Sequence, residues 1–157
     1  MPPTTGDAAP DFEALLCDGE TFRSREFHDL LADDGGVLVF SGFVGSAIAE
    51  NWWKHFARAG WGDFDVPVLG VTRDGPYAQN GFVREHGLPF RFVSDVNGVA
   101  CGAYDLLTPR SGMANVSTAR RAAFVVDGDQ RVAHCWVAEN WTEPVPREGI
   151  EDGVEAL

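Results

Sequence analysis

The stretch from Val37 to Trp53, Val-Leu-Val-Phe-Ser-Gly-Phe-Val-Gly-Ser-Ala-Ile-Ala-Glu-Asn-Trp-Trp, constrains the whole chain. Its first four residues are a continuous apolar run with turn chemistry on either side, Asp33-Asp34-Gly35-Gly36 before it and Ser41-Gly42 after it. So short a run without polar alternation suits a strand buried on both faces, and such a strand needs helices above and below its sheet. A helix is predicted over Ser46–Ala59, where Ile48, Trp52, Phe56 and Ala59 recur at three to four residues as one apolar face. The corner between them is where an α/β protein mounts a reactive group. The free N–H groups and roughly +0.5 charge of a helix N-terminus favour an anion there. Yet no Cys, His, Asp or Lys occurs between Ser41 and Ala49.

The same alternation continues along the chain. Asp11–Leu16 reads as a short strand, Asp18-Gly19 as a turn and Glu20–Phe22 as the returning arm of a hairpin. Ser24 is placed to cap a short helix through Leu31. Val66–Thr72 is a second buried strand, and a helix from Gly75-Pro76 to His86 follows, with Phe82 and Val83 facing inward and Gly87 as its stop. Phe90–Val93 is a third strand, and a short helix runs to about Leu106. Thr108–Ser117 is rich in Pro, Gly and Ser and reads as a loop. Ala122–Val126 and Val132–Val137 flank Asp127-Gly128-Asp129 as a closing hairpin. Residues 138–157 form a tail that ends in a helical turn or two. Alternating strands and helices imply parallel pairing in the centre of one sheet, with antiparallel hairpins at its borders. The expected fold is therefore α/β and thioredoxin-like, a three-layer sandwich in a single domain over residues 1–157.

Composition narrows the function. The chain has 157 residues, enough for one well-buried core. It carries 24 Asp and Glu against 12 Lys and Arg, a net charge of −12, which disfavours nucleic acid and anionic lipid as partners. Lys54 is the single lysine among those basic residues. Dispersed acidity with almost no lysine suggests a salt-rich cytoplasm, where screening over ~3 Å at 1 M salt relieves self-repulsion. No apolar run approaches the ~18 residues of a membrane span, and the first residues have no leader pattern, so a cytoplasmic location is expected. Cys17, Cys101 and Cys135 match no zinc spacing and form no C-x-x-C pair. His28, His55, His86 and His134 lie far apart, so no metal or cofactor site is expected.

Four stretches resemble the peroxiredoxins, the thiol peroxidases of the alkyl-hydroperoxide-reductase and thiol-specific-antioxidant type. They are Gly6–Phe12 with Asp18-Gly19-Glu20; Val68–Asp74 with Phe82 and Glu85–Leu88; Phe90–Asp95 with Gly98, Ala103 and Tyr104; and Arg121–Gly128. The resemblance implies a pattern P-x-x-x-T-x-x-C-x-x-E at the corner. Its Cys is held as a thiolate by the helix N-terminus and a nearby Arg, with its pKa lowered from ~8.5 into the range of ~3.5–7.5. Laid on this chain, Phe43 precedes the Thr position and Glu50 fits the Glu position. Val44 then stands for the Thr and Ala47 for the Cys, the approach is about two residues short and the Pro is missing. Only Arg121 is retained of the Pro, Thr, Cys and Arg set.

Ala47 cannot attack a peroxide, and Ser46 beside it has no base to activate it. The remaining thiols are weaker candidates: Cys101 as a buried small residue on the short helix, Cys17 as an exposed thiol near the first turn, Cys135 as a packing residue on a strand. The resemblance therefore implies a peroxiredoxin-like protein without peroxidase chemistry, a binding or partner subunit whose partner is a second copy or an active relative. A small anion could sit between Arg121 and the corner at Ala47. The alternative is an active thiol oxidoreductase working through Cys17 or Cys101. Of the adjacent Trp52 and Trp53, one should face the core and the other an edge.

Overall fold

Parallel pairing lies where strands and helices alternate, at the middle of a mixed sheet. In this computed structural model, which describes all residues from Met1 to Leu157, the elements follow in the order β1 (Glu13–Cys17), β2 (Phe22–Glu26), α1 (Phe27–Leu30), β3 (Gly35–Phe40), α2 (Ala47–Arg58), β4 (Val68–Thr72), α3 (Pro76–His86), β5 (Arg91–Ser94), α4 (Val99–Ala103), β6 (Leu107–Arg110), β7 (Val116–Ala119), β8 (Ala122–Asp127), β9 (Val132–Val137) and α5 (Arg147–Glu155). Seven strands form one sheet in the order β2-β1-β5-β4-β3-β8-β9. β3, β4 and β5 are parallel to one another; β1 pairs antiparallel with β5 and β8 with β3, and β2 and β9 complete antiparallel hairpins on the outer sides. This is the thioredoxin-like three-layer arrangement of α/β elements that the alternation predicts.

Side chains of β3 divide the core in two, as the two-residue period of a strand requires. Leu38 and Phe40 pack with Phe27 and Leu30 of α1, Ala100 and Cys101 of α4, and Tyr104. Val37 and Val39 pack on the other face with α2, α3 and Ile150 of α5. Every residue of β3 is buried, which explains why it shows no polar alternation. On the second face Gly70 of β4 leaves the space that two rings occupy. A Cβ there would meet Phe92 at 2.5 Å and Trp53 at 2.8 Å. Those rings lie 4.7 Å apart at their centroids, nearly edge to face.

Three local expectations are corrected. The predicted helix from Ser24 is mostly strand: Phe22–Glu26 pairs with β1 as a polar edge strand, and helix begins only at Phe27. Asp18 sets the register of that hairpin by accepting the N–H groups of Glu20 and Thr21. The segment Thr108–Ser117 is a separate two-stranded ribbon of β6 and β7 closed by a 3₁₀ turn at Ser111–Met113, rather than an irregular loop. Pro109 is tolerated because the ribbon has free edges. Finally, the buried face of α2 is Ala49, Trp53 and Phe56, one residue on from Ile48 and Trp52. Trp53 takes the inward place because Gly70 leaves room for it and buried Ser41 accepts its Nε1–H at 3.3 Å.

Candidate functional site

The corner that the sequence singles out is built from three sources. β3 ends at Phe40, and buried Ser41 donates its N–H to Val71 O at 3.1 Å, which keeps the chain on the sheet for one more residue. The next turn is tied by Asp74, whose Oδ2 accepts both the Val44 N–H at 3.0 Å and the Thr72 hydroxyl at 2.7 Å. Ser46 then caps α2, its Oγ accepting the Ala49 N–H at 3.2 Å. The helix runs from Ala47 to Arg58, with its ends within a residue of the predicted ones.

The predicted site residues do not all meet. A cavity of about 560 Å³ opens at this end of α2, and Ser46, Ala49 and Arg121 are in its wall. Ala47 is exposed on the first turn and outside that wall; Val44 and Glu50 are outside it too. Val44 is buried in the core beneath the corner. Glu50 turns to Lys54, with its Oε1 2.8 Å from Nζ and 3.8 Å from His86 Nε2. The lysine holds the Glu50 carboxyl below its ordinary pKa. Cys17 corrects another expectation: it is fully buried rather than exposed, because the last residue of β1 sits in the sheet between Phe22 and Phe92. Burial, with Asp18 adding to it, raises the Cys17 thiol from 9.0 to about 11. Cys101 is also fully buried, and burial followed by the Asp95 carboxylate pushes its thiol upward. Neither thiol is in the cavity wall.

Arg121 is the polar centre of the cavity. It precedes β8 and is only 6% exposed. Its guanidinium carbon lies 4.0 Å from the Trp52 ring centroid. Nη2 donates to the carbonyl of Asn140, at 3.1 Å, and to that of Glu143, pinning the segment after β9. Nε and Nη1 are buried with no acceptor. Burial lowers its pKa to about 10; Glu143 opposes the shift and the like charge of Arg110 adds to it. Arg110, half-buried on β6, is a second guanidinium in the wall. Its Nε donates to Thr118 Oγ1 at 2.8 Å and its Nη2 to Ala119 O at 3.0 Å. The ribbon that carries it is anchored by Arg73, whose Nη1 donates to Ser117 O at 2.7 Å and Nε to Asp95 O at 2.8 Å. Phe43, Met113 and Trp141 complete the apolar side. Trp52 and Trp53 therefore part as their adjacency requires, one to the cavity and one to the core.

Arg110, Trp141 and Asp74 were not singled out in the sequence. Arg110 sits in a Pro- and Gly-rich stretch with no local signal, and only its ribbon's docking brings it to Arg121. Asp74 follows a buried strand at its C-terminal end, a place where side chains face such corners.

A seven-stranded mixed sheet, helices on both faces and a strand-to-helix corner beside a buried Arg define a protein of the thioredoxin superfamily, built on the peroxiredoxin plan. The AhpC/TSA family pattern matches residues 5–135, and the chain belongs to that family. A Coxiella burnetii protein bearing the peroxiredoxin name bcp is 25% identical over 85 residues, which are 54% of this chain; the chain spans about half the length of that relative (53%). Among solved structures, the peroxidoxin BcpB of Mycobacterium tuberculosis superposes with a TM-score of 0.78 at 20% identity, covering 98% of this chain and 95% of its own. The AhpC of Enterococcus faecalis gives 0.79 at 17%, covering 99% and 92%. A reduced 2-Cys peroxiredoxin of Plasmodium vivax gives 0.78 at 19%, covering 98% and 95%. At these identities the structures speak to the fold.

Proposed function

We propose that this chain keeps the peroxiredoxin scaffold without its peroxide-reducing thiolate and acts as a binding protein at the emptied corner. One observation carries the reading: the first residue of the capped helix α2 is Ala47, so the helix N-terminus faces a methyl group where the family pattern has its nucleophile. Val44, without a hydroxyl and buried, cannot orient a peroxide in place of the Thr. The alternative thiols are poor substitutes. Cys17 and Cys101 are closed to solvent, and their raised pKa values keep them protonated at neutral pH.

The reading includes a partner, a second copy or a thiol-bearing relative, and a salt-rich cytoplasm in keeping with the net charge of −12. No helix is long and apolar enough to cross a membrane. The test is peroxide consumption by the purified protein with dithiothreitol or a thioredoxin system as reductant. No turnover above the protein-free rate is expected. Turnover that disappears in Cys17→Ser, Cys101→Ser or Cys135→Ser would overturn the reading and establish a thiol peroxidase of a different arrangement.

A further inference from the structure

The cavity beside α2 has a composition at odds with the rest of the molecule. The chain carries 24 acidic residues, yet none is in this wall, which holds two arginines. By contrast, the cavity between the turn after α2 and α5 is lined by Asp34, Asp63, Asp65, Glu151 and Glu155. The Glu143 carboxylate, whose charge acts on Arg121, lies outside the wall and accepts the Glu139 N–H at 2.7 Å. Positive charge is thus concentrated in one recess of an acidic protein, at the positive end of a twelve-residue helix.

A second, independent observation points to a ligand. Arg121 uses one nitrogen for two backbone carbonyls and leaves Nε and Nη1 buried without an acceptor. A buried charged donor in that condition is costly, more so than a neutral one. These two nitrogens lie on different edges of the guanidinium, each edge shared with the occupied Nη2, so either can give a carboxylate oxygen one charge-assisted hydrogen bond. Arg121 is in the wall and its guanidinium face lies over the half-buried Trp52, which leaves the in-plane N–H directions to a head group.

The remainder of the recess is apolar and large. Phe43, Ile48, Met113 and Trp141 face it, and Trp141 and Met113 are 62% and 45% exposed at its rim. A volume of about 560 Å³ falls inside the range of roughly 300–1,000 Å³ typical of small-molecule sites. It far exceeds what hydrogen peroxide or an inorganic anion fills. We infer that this cavity binds a small organic carboxylate with an aromatic or branched apolar body, its head hydrogen-bonded to an unpaired nitrogen of Arg121 and its body between Trp52, Met113 and Trp141. The inference rests on the reading of the corner as a binding site.

The experiment is calorimetric titration of the full chain at pH 7 with three probes: phenylacetate, its neutral counterpart 2-phenylethanol, and acetate as the head alone. Phenylacetate should bind saturably and at least ~10-fold more tightly than either control, since head and body each contribute. Its binding should change the tryptophan emission, because the apolar body meets Trp52 and Trp141. Arg121→Met should weaken phenylacetate ~10-fold or more and leave 2-phenylethanol nearly unchanged. Because Arg121 also holds the 140–143 segment, Met113→Glu is the second variant. It places a like charge at an exposed rim position and should weaken phenylacetate several-fold with an unaltered melting temperature. Equal affinity for phenylacetate and 2-phenylethanol, no saturable binding by the wild type, or indifference to Met113→Glu in a folded variant would each overturn the inference. The peroxide assay is separate. Absent binding with absent turnover refutes only this inference, whereas binding that inhibits a measured turnover supports it and refutes the non-peroxidase reading.

Discussion

Arg121 and Trp52 are stacked, with the guanidinium carbon 4.0 Å from the ring centroid, so this arginine faces an indole and two backbone carbonyls rather than Ala47. This pairing gives the half-buried tryptophan of the twin its place, and it ties α2, the start of β8 and the segment after β9 together. Arg121→Met removes the charged donor to the carbonyls of Asn140 and Glu143 and leaves them unpaired. A loss of about 1–3 kcal/mol in urea unfolding is expected. Arg121→Lys should recover little of it, because an ammonium cannot stack and donate in the same plane.

The glycine at position 70 is a second fixed point. Its missing Cβ is the space that Trp53 and Phe92 fill, with both rings closer than 3.0 Å to where the atom would be. These are ring atoms packed inside the core, so they cannot swing away as a flexible chain end does. Gly70→Ala should therefore destabilise by roughly 1–3 kcal/mol despite the better strand propensity of alanine. A change within about 0.5 kcal/mol in denaturant unfolding would mean that the two rings repack freely.

What could be read from the sequence followed local chemistry. The buried run Val37–Phe40, the helix from Ser46, the Pro76 start and Gly87 stop of α3, and the Asp127-Gly128 hairpin each carry their own signal within a few residues. What could not be read depended on distant partners. Nothing near Trp52 or Trp53 says which one enters the core; the vacancy at Gly70, across the sheet, decides it. Cys17 follows a strand and precedes a turn, which suggests exposure, but pairing of β1 with both β2 and β5 buries it. At the corner the sequence offers the Val44 and Ala47 positions, which lie outside the cavity wall. The recess itself, with Arg110 and Trp141, exists only because the β6–β7 ribbon and the 140–143 segment fold back over α2.

Alkaline pH offers a check on the buried thiols. An unfolded Cys17 thiol titrates near 9.0 and the folded one near 11, so between those values the native state keeps a proton that the unfolded state releases. The stability that comes from the protonated thiol is fully present below pH 9 and declines as the pH rises toward 11. Cys101 is shifted in the same direction and adds to the same slope. Urea unfolding between pH 7.5 and 10.5 should show level stability followed by a fall, and Cys17→Ala or Cys101→Ala should flatten part of it. At pH 8 both thiols should resist iodoacetamide in the native protein and react after denaturation.

The net charge of −12 sets a salt dependence. Carboxylates spread over the surface repel one another in dilute buffer, and molar salt screens that repulsion to ~3 Å. The melting temperature should rise steeply from low to molar KCl, and most of the rise should be matched by equal ionic strength of NaCl. A flat profile would show an acidic surface whose repulsion is already relieved by its own arrangement.

A thiol placed at position 47 tests how strong a field the N-terminus of α2 exerts there. In Ala47→Cys the new thiol sits at the first residue of α2, capped by Ser46, where the helix dipole stabilises a thiolate. Arg121 cannot add its full effect, since its guanidinium is stacked on Trp52 and one nitrogen holds two carbonyls. The thiol pKa should therefore fall by about one unit from ~8.5, well short of the lowest values that helix and cation reach together. It is measured from the pH dependence of iodoacetamide labelling in a Cys135→Ser background, with Cys17 and Cys101 silent because they are buried. Peroxide consumption should be no faster than that of an ordinary thiol of the same pKa, because Val44 supplies no hydroxyl to orient the substrate. Adding Val44→Thr should then raise the rate without moving the pKa further. A thiol that titrates at its free value would mean that the N-terminus of α2 no longer acts on this position. Fast turnover in the single variant would mean that Arg121 leaves Trp52 to serve the new thiolate.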